Sequence, residues 1–135
     1  MTRLTREWIW KAEADLRVAH REHAARRSVH DAVCFHCQQC AEKYLKGLLQ
    51  EHSISFPKTH ELADLIDLLL PAEPKLRQIR HVADGLTRYA VEYRYPGVLA
   101  TRRNASSALK VAERVRAEVR CRLGLRLTIV RRNRS

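Results

Sequence analysis

The chain is poor in the residues that break regular structure, since only 4 glycines and 4 prolines occur among its 135 residues. A fold made of many short strands needs frequent turns, and turns depend on these two residues. Apolar residues make up 45% of the chain, which is enough to form the core of one domain of this length. The composition therefore favours a helical domain over a sandwich or a barrel.

Long apolar runs are also missing from the chain. No segment reaches the roughly 18 consecutive apolar residues that a membrane-spanning helix requires. Residues 1–7 lack the apolar centre of a secretory signal. We therefore expect a cytoplasmic protein that does not enter a membrane.

Acidic residues are scarce at the C-terminal end. Residues 101–135 contain 11 Lys or Arg and 2 acidic residues, whereas residues 1–100 contain 15 basic and 13 acidic residues. Most of the net charge of +11 therefore belongs to the last quarter of the chain. Two interpretations stay open: a basic segment that binds phosphates by counterion release, or an arginine-rich surface that maintains solubility.

Three of the four cysteines are spaced three residues apart, at Cys34, Cys37 and Cys40. This spacing aligns thiols along a helix and raises the possibility of a metal site. However, all three fall at apolar positions, and no second Cys or His pair follows at the spacing of a zinc site. We expect buried thiols, no bound metal and no cofactor.

Apolar residues recur at the 3.6-residue period of a helix in five segments. These segments are residues 5–25, 30–51, 59–70 (with Thr59 as the N-cap), 75–93 and 101–123. Short connections between long amphipathic helices predict an all-α, up-and-down bundle of four to five helices over residues 1–125. We expect the basic tail, residues 126–135, to be loosely ordered.

The second helix carries an ordered polar face. Polar residues recur on it at three- and four-residue steps and so form one stripe. The stripe consists of His36, Gln39, Lys43, Lys46 and Gln50. Gln38 falls instead among the apolar residues, with Glu42 one turn later, and a buried amide needs a hydrogen-bond partner. We expect a structural Gln38–Glu42 pair, with Arg88 or Tyr93 as a further partner across the bundle.

Three blocks of sequence resemble the HEPN family, small helical-bundle proteins of bacteria and archaea related to a terminal domain of sacsin. The blocks are residues 35–46 (FHCQQCAEKYLK), 58–62 (KTHEL) and 88–97 (RYAVEYRYPG). The resemblance covers residues 8–117. It implies a bundle that forms a homodimer and acts beside a minimal nucleotidyltransferase in a toxin–antitoxin-type pair.

Active members of this family cut RNA without a metal, using an Arg followed after four to six residues by a His. The Arg that matches here is Arg94, and no His follows it. We therefore expect a nucleotide- or RNA-binding and assembly module with a groove between the second and fourth helices. The first alternative is a metal-independent endoribonuclease toxin that uses Arg94 with a His from another helix. The second is a non-specific nucleic-acid binder that uses the basic C-terminal segment.

Metal-free RNA cleavage needs an acid, a base and a cation that stabilises the charge on the phosphate. Arg94 suits the cation, because a guanidinium matches phosphate oxygens. His36 and His60 are the candidates for acid and base, since an unperturbed imidazole has a pKa of about 6.5.

Other residues are candidates for holding a phosphate or for stacking against a base. They are Gln39, Lys43, Lys46, Arg88, Tyr93 and Tyr95. Ordinary structural roles are also open at this point. Arg94 then caps the fourth helix, Lys46 pairs with Glu42 four residues earlier, and both candidate histidines are solvated or bond locally.

Overall fold

A computed structural model of the chain contains five α-helices and one short 3-10 helix. The α-helices are α1 (Arg3–Ala24), α2 (His30–Glu51), α3 (Leu62–Leu69), α4 (Arg77–Glu92) and α5 (Arg102–Arg122), and the 3-10 helix is Pro74–Leu76. The structure describes residues 1–93 and 95–127, and Ala90 by its backbone alone. No strand occurs within these residues, which confirms the predicted all-α fold. The predicted tail lies outside them from residue 128 onward.

Helix α2 is the central element of the bundle, because it contacts all four other α-helices. It packs most extensively against α1 and α5. Its buried side chains include Tyr44, Leu45, Leu48 and Leu49, and the three closely spaced cysteines are fully buried with them. Burial raises the pKa of Cys34 to about 11, so this thiol is neutral in the folded protein. No helix in the described part of the chain has the length and apolarity to cross a membrane.

Side-chain caps define the starts of the first and last helices. Thr2 Oγ1 accepts a hydrogen bond from the backbone N–H of Thr5 at 3.1 Å, before α1. At α5, Thr101 and Asn104 form a reciprocal capping box, with hydrogen bonds of 3.1 and 2.9 Å. Such caps satisfy N–H groups that the helix itself leaves unpaired, and each stabilises its helix by about 1 kcal/mol.

Helix α3 begins two residues later than the sequence predicts, since its N-cap is Glu61 rather than Thr59. Thr59 Oγ1 accepts instead from the backbone N–H of Glu61, within the preceding turn. The carbonyl of His60 is occupied by the side chain of Gln38, so the helix ladder starts at the carbonyl of Glu61. The N–H of Leu62 is capped by a side chain of α4, Thr87 Oγ1, at 3.1 Å. Both of these partners come from other helices, which local sequence does not specify.

The close contact between α1 and α2 depends on Gly47. A Cβ atom at this position would lie 3.0 Å from Ile9 Cδ1 and 3.1 Å from Trp8 Cβ. The absence of a side chain therefore lets the two longest helices approach one another here. This contact fixes Trp8 beside the polar residues of α2.

Candidate functional site

A polar network surrounds the carboxylate of Glu42, which is only 5% exposed. Its Oε1 atom accepts from Gln38 Nε2 at 3.1 Å and bonds His60 Nδ1 at 2.8 Å. Its Oε2 atom accepts from Lys46 Nζ at 2.9 Å. Gln38 Nε2 also donates to the His60 carbonyl at 3.0 Å. Helix α2 thus holds the loop before α3 at two points.

The network confirms the predicted Gln38–Glu42 pair and corrects its third partner. We expected Arg88 or Tyr93 to bond this pair, but the structure places His60 there. The amide of Gln38 also accepts from Gln39 Nε2 at 2.8 Å, so both its oxygen and its nitrogen have partners. A buried amide with these contacts avoids the desolvation cost of an unpaired polar group.

The carboxyl of Glu42 is ionised, although it is buried. Burial alone raises its pKa, but the hydrogen bonds from Lys46, His60 and Gln38 outweigh burial and lower the net pKa below its usual value. An ionised carboxylate only accepts hydrogen bonds, so His60 donates from Nδ1. The side chain of His60 is 72% exposed. Its Nε2 atom is therefore the nitrogen available to a ligand.

Lys46 is held by one carboxylate and two aromatic rings. Its Nζ atom lies 5.8 Å from the ring centroid of Trp8 and 5.8 Å from that of Phe56. The two rings also contact each other edge to face, with centroids 6.2 Å apart. A buried ammonium gains from both kinds of contact. A ligand phosphate would compete with these partners for Lys46.

His36 and Lys43 belong to a separate network that faces α1. His36 Nδ1 lies 2.9 Å from Asp15 Oδ1, and Lys43 Nζ donates to Asp15 Oδ2. The polar stripe of α2 is therefore divided between Asp15 and the Glu42 network. The structure does not join His36 to His60 in one network. Asp15 lies three residues after Ala12 and four before Ala19, so its spacing places it at the edge of the apolar stripe of α1, and this spacing was the available signal in the sequence.

Arg88 lies on the exposed side of α4, next to the loop that carries His60. It lines a surface depression of 360 Å³ between α4 and the start of α3. The other lining residues are Glu61, Asp84, Thr87, Val91 and Glu92. Because Glu61 directly follows His60, the loop and α4 present their polar residues to one region of the surface.

The two candidate tyrosines lie where α4 ends. Tyr93 stacks on Tyr89, with ring centroids 5.9 Å apart and an interplanar angle of 28°. Burial is the main cause of the raised pKa of Tyr93. Tyr95 is exposed. Arg94, the predicted catalytic cation, lies outside the described residues.

The bundle and the arrangement of its polar blocks point to one family. The HEPN domain model matches residues 5–122, so the chain belongs to the HEPN family. This finding confirms the family that the three sequence blocks predicted.

Two solved structures are similar to this chain. TT1696 from Thermus thermophilus is 27% identical over 87% of this chain and 97% of that chain, with a TM-score of 0.76. ST0689, described as an archaeal HEPN homologue, is 30% identical over 91% of this chain and 99% of that chain, with a TM-score of 0.72. Both likenesses support the helical fold. No curated protein matches the chain.

Proposed function

We propose that this HEPN protein is a cytoplasmic nucleotide- or RNA-binding and assembly module. It acts as a homodimer beside a minimal nucleotidyltransferase in a toxin–antitoxin-type pair. The observation that supports binding is the placement of His60. Its exposed ring is oriented by buried Glu42, in a loop whose next residue lines the same depression as Arg88. The imidazole and the guanidinium suit the base and phosphate of a nucleotide, whereas the three carboxylates of the depression (Glu61, Asp84 and Glu92) weaken its attraction for phosphate.

Binding is favoured over cleavage because the groups needed for proton transfer are separated. His36, the other predicted acid or base, bonds Asp15 in its own network. In the active members of the family, a His follows the Arg after four to six residues. Five residues after Arg88, this chain has Tyr93 rather than His. Burial raises the pKa of Tyr93, so its phenol stays protonated and is a poor proton acceptor near neutral pH.

The oriented imidazole of His60 is the one feature that favours the endoribonuclease alternative. A carboxylate that fixes Nδ1–H leaves the Nε2 lone pair of a neutral imidazole free to take a proton. Arg94 would supply the cation in that reaction. The third interpretation, non-specific binding through the basic C-terminal segment, stays a prediction, since residues 128–135 of that segment lie outside the described residues.

Four exposed apolar residues that are close together in the sequence support the homodimer. They are Val91, Tyr95, Val98 and Leu99, and Leu99 is 81% exposed. Contiguous apolar surface is costly in water and marks interaction sites. We propose that these residues form one apolar patch and place the dimer contact there, where α4 ends and the loop to α5 begins.

Binding is tested by titrating fluorescein-labelled single-stranded RNA and a fluorescent adenine nucleotide into the parent protein. Loss of a charge-assisted phosphate contact in Arg88→Ala should weaken binding by about 10- to 100-fold. Arg77→Ala is the matched control, because Arg77 is an exposed arginine of α4 that does not line the depression. Equal affinities of the two variants would contradict the proposed site.

Assembly is tested by coexpressing the tagged protein with a nucleotidyltransferase encoded by a neighbouring gene. We expect the two chains to elute together in a fixed ratio during size-exclusion chromatography. Separate elution at all concentrations would refute the assembly role and leave the binding site untouched.

A further inference from the structure

Trp10 is a large aromatic side chain that the core does not use. The buried residues of α1 are Thr5, Ile9, Ala12, Leu16 and Ala19, and they form one stripe along the helix. Trp10 lies outside this stripe and is 68% exposed. A single exposed apolar residue is ordinary in a folded protein. Trp10 differs from such a residue because it lines a groove with positively charged residues.

An open groove of 370 Å³ lies between α1 and the end of α5, and Trp10 forms part of its lining. Arg6 and Arg17 line it on α1, and Arg120 and Leu125 line it from the α5 side. Steps of four and seven residues place both α1 arginines on the same helix face as Trp10. At 1.5 Å per residue, they lie about 6 and 10 Å from it along the axis.

Among the described residues, Glu13 supplies the single carboxylate in the lining of this groove, and this carboxylate is already neutralised. It accepts two hydrogen bonds from Arg116, at 2.9 and 3.2 Å, and one from the Tyr44 hydroxyl at 2.6 Å. Arg120 Nη1 lies 3.9 Å from it. Two guanidinium groups therefore share one carboxylate, which leaves an excess positive charge beside the groove.

The two exposed arginines add to that charge. In residues 1–93 and 95–127, no carboxylate lies within ion-pair distance of Arg6 or Arg17. Arg6 Nη1 donates to the carbonyl of Met1 at 2.9 Å, which orients the guanidinium and leaves its charge uncompensated. The groove thus combines an exposed indole with positive charge on both sides.

We infer that this groove binds a segment of single-stranded nucleic acid. One base stacks on the indole of Trp10, while Arg6 and Arg17 contact the flanking phosphates. A second copy of this chain is a poor occupant, because two such cationic surfaces repel each other. The groove shares no lining residue with the depression beside Arg88, so it is a separate site.

Fluorescence of Trp10 tests the stacking directly. The chain has 2 tryptophans, so Trp8→Phe makes Trp10 the sole indole, and a phenylalanine keeps a ring beside Phe56. We expect quenching when single-stranded RNA or DNA of one sequence is added. Quenching by RNA alone would assign the ligand to RNA, and quenching by DNA alone would assign it to DNA.

Affinity tests the same contact by a second route. Trp10→Ala should weaken oligonucleotide binding by about 5- to 150-fold, whereas Trp10→Phe should retain part of the affinity. Arg17→Gln should reduce the slope of log affinity against log salt by about 0.7, and Arg77→Gln should leave it unchanged. Circular dichroism of each variant verifies that it is folded.

Unaltered Trp10 fluorescence together with parental affinity of Trp10→Ala would overturn the inference. Quenching by an acidic peptide and not by oligonucleotides would also overturn it, and would assign the groove to a protein partner. Arg88→Ala, measured in parallel, separates this inference from the proposed function. A loss confined to Arg88→Ala would refute the Trp10 site alone, and a loss confined to Trp10→Ala would refute the Arg88 site alone.

Discussion

His60 Nδ1 lies 2.8 Å from Glu42 Oε1, so a carboxylate buried in the bundle orients a ring exposed on its surface. The same carboxylate accepts from Lys46 on its other oxygen. One buried charge therefore joins the packing of α2 to the placement of the loop before α3. Removal of the Glu42 carboxylate should therefore affect both the stability of the fold and the surface next to Arg88.

Replacing Glu42 by glutamine should destabilise the fold. The ammonium of Lys46 would stay buried without its carboxylate, and the loss of one partner from a buried ion pair costs about 3–5 kcal/mol. We expect this decrease in the free energy of unfolding in urea. Asp67→Asn is the control, because the side chains of Arg80 and Asp67 are 43% and 45% exposed and the pair should contribute far less. Equal losses in the two variants would contradict a structural role of the Glu42 network.

The stability of the protein should decrease in acid. Hydrogen bonds and ion pairs outweigh burial and lower the folded-state pKa values of Glu13 and Glu42 below the ordinary value of 4.5. A carboxyl with a lowered folded-state pKa stabilises the fold above its unfolded pKa, and this contribution disappears as pH falls through the folded value. Urea denaturation at a series of pH values, from neutral to below 4.5, measures the effect. The free energy of unfolding should fall less steeply with decreasing pH in Glu42→Gln than in the parent. An equal slope in the two proteins would show that Glu42 does not cause the loss of stability in acid.

Gly47→Ala should destabilise the protein by about 1–3 kcal/mol, in spite of the higher helix propensity of alanine. The new Cβ would meet Ile9 and Trp8 at 3.0 and 3.1 Å. Gly85→Ala is the matched control, since its added Cβ would meet no described atom within 4 Å beyond its chain neighbours and the backbone of its own helix. That variant should gain about 0.5–1 kcal/mol. A stabilising Gly47→Ala would show that α1 and α2 do not approach closely at this residue.

Leu99→Glu should dissociate the proposed homodimer. Leu99 is 81% exposed in the single chain, so a charge there harms the folded monomer little but would be buried without a partner at the dimer contact. Sedimentation equilibrium should give a dimer for the parent and a monomer for the variant. Leu4→Glu changes another exposed leucine, on α1, and should remain dimeric. A dimeric Leu99→Glu would exclude this patch as the interface.

Periodicity in the sequence was sufficient to predict the helices, and the resemblance of three sequence blocks to HEPN proteins predicted the family. The predicted limits of the second helix, residues 30–51, agree with those of α2, and Thr101 caps α5 as the start of the fifth segment suggests. The Gln38–Glu42 pair was also predictable, because its members are four residues apart on one helix. Each of these features depends on neighbours in sequence.

Features that depend on tertiary packing were not predictable. The four-residue spacing from Glu42 to Lys46 predicts an ordinary surface ion pair, yet the rings of Trp8 and Phe56 lie close to the Lys46 ammonium. The partner of Gln38 comes from a loop 22 residues away, and the cap of α3 comes from α4. Trp10 was not singled out either. Its position outside the apolar stripe of α1 was the available signal.

A single assay in EDTA tests the central claim most directly. Labelled single-stranded RNA is incubated with the parent protein, with Arg88→Ala and with Arg94→Ala, and both its anisotropy and its length are measured. We predict saturable binding that Arg88→Ala weakens, with RNA of unchanged length. Cleavage by the parent that Arg94→Ala abolishes would contradict the account and establish a metal-independent nuclease.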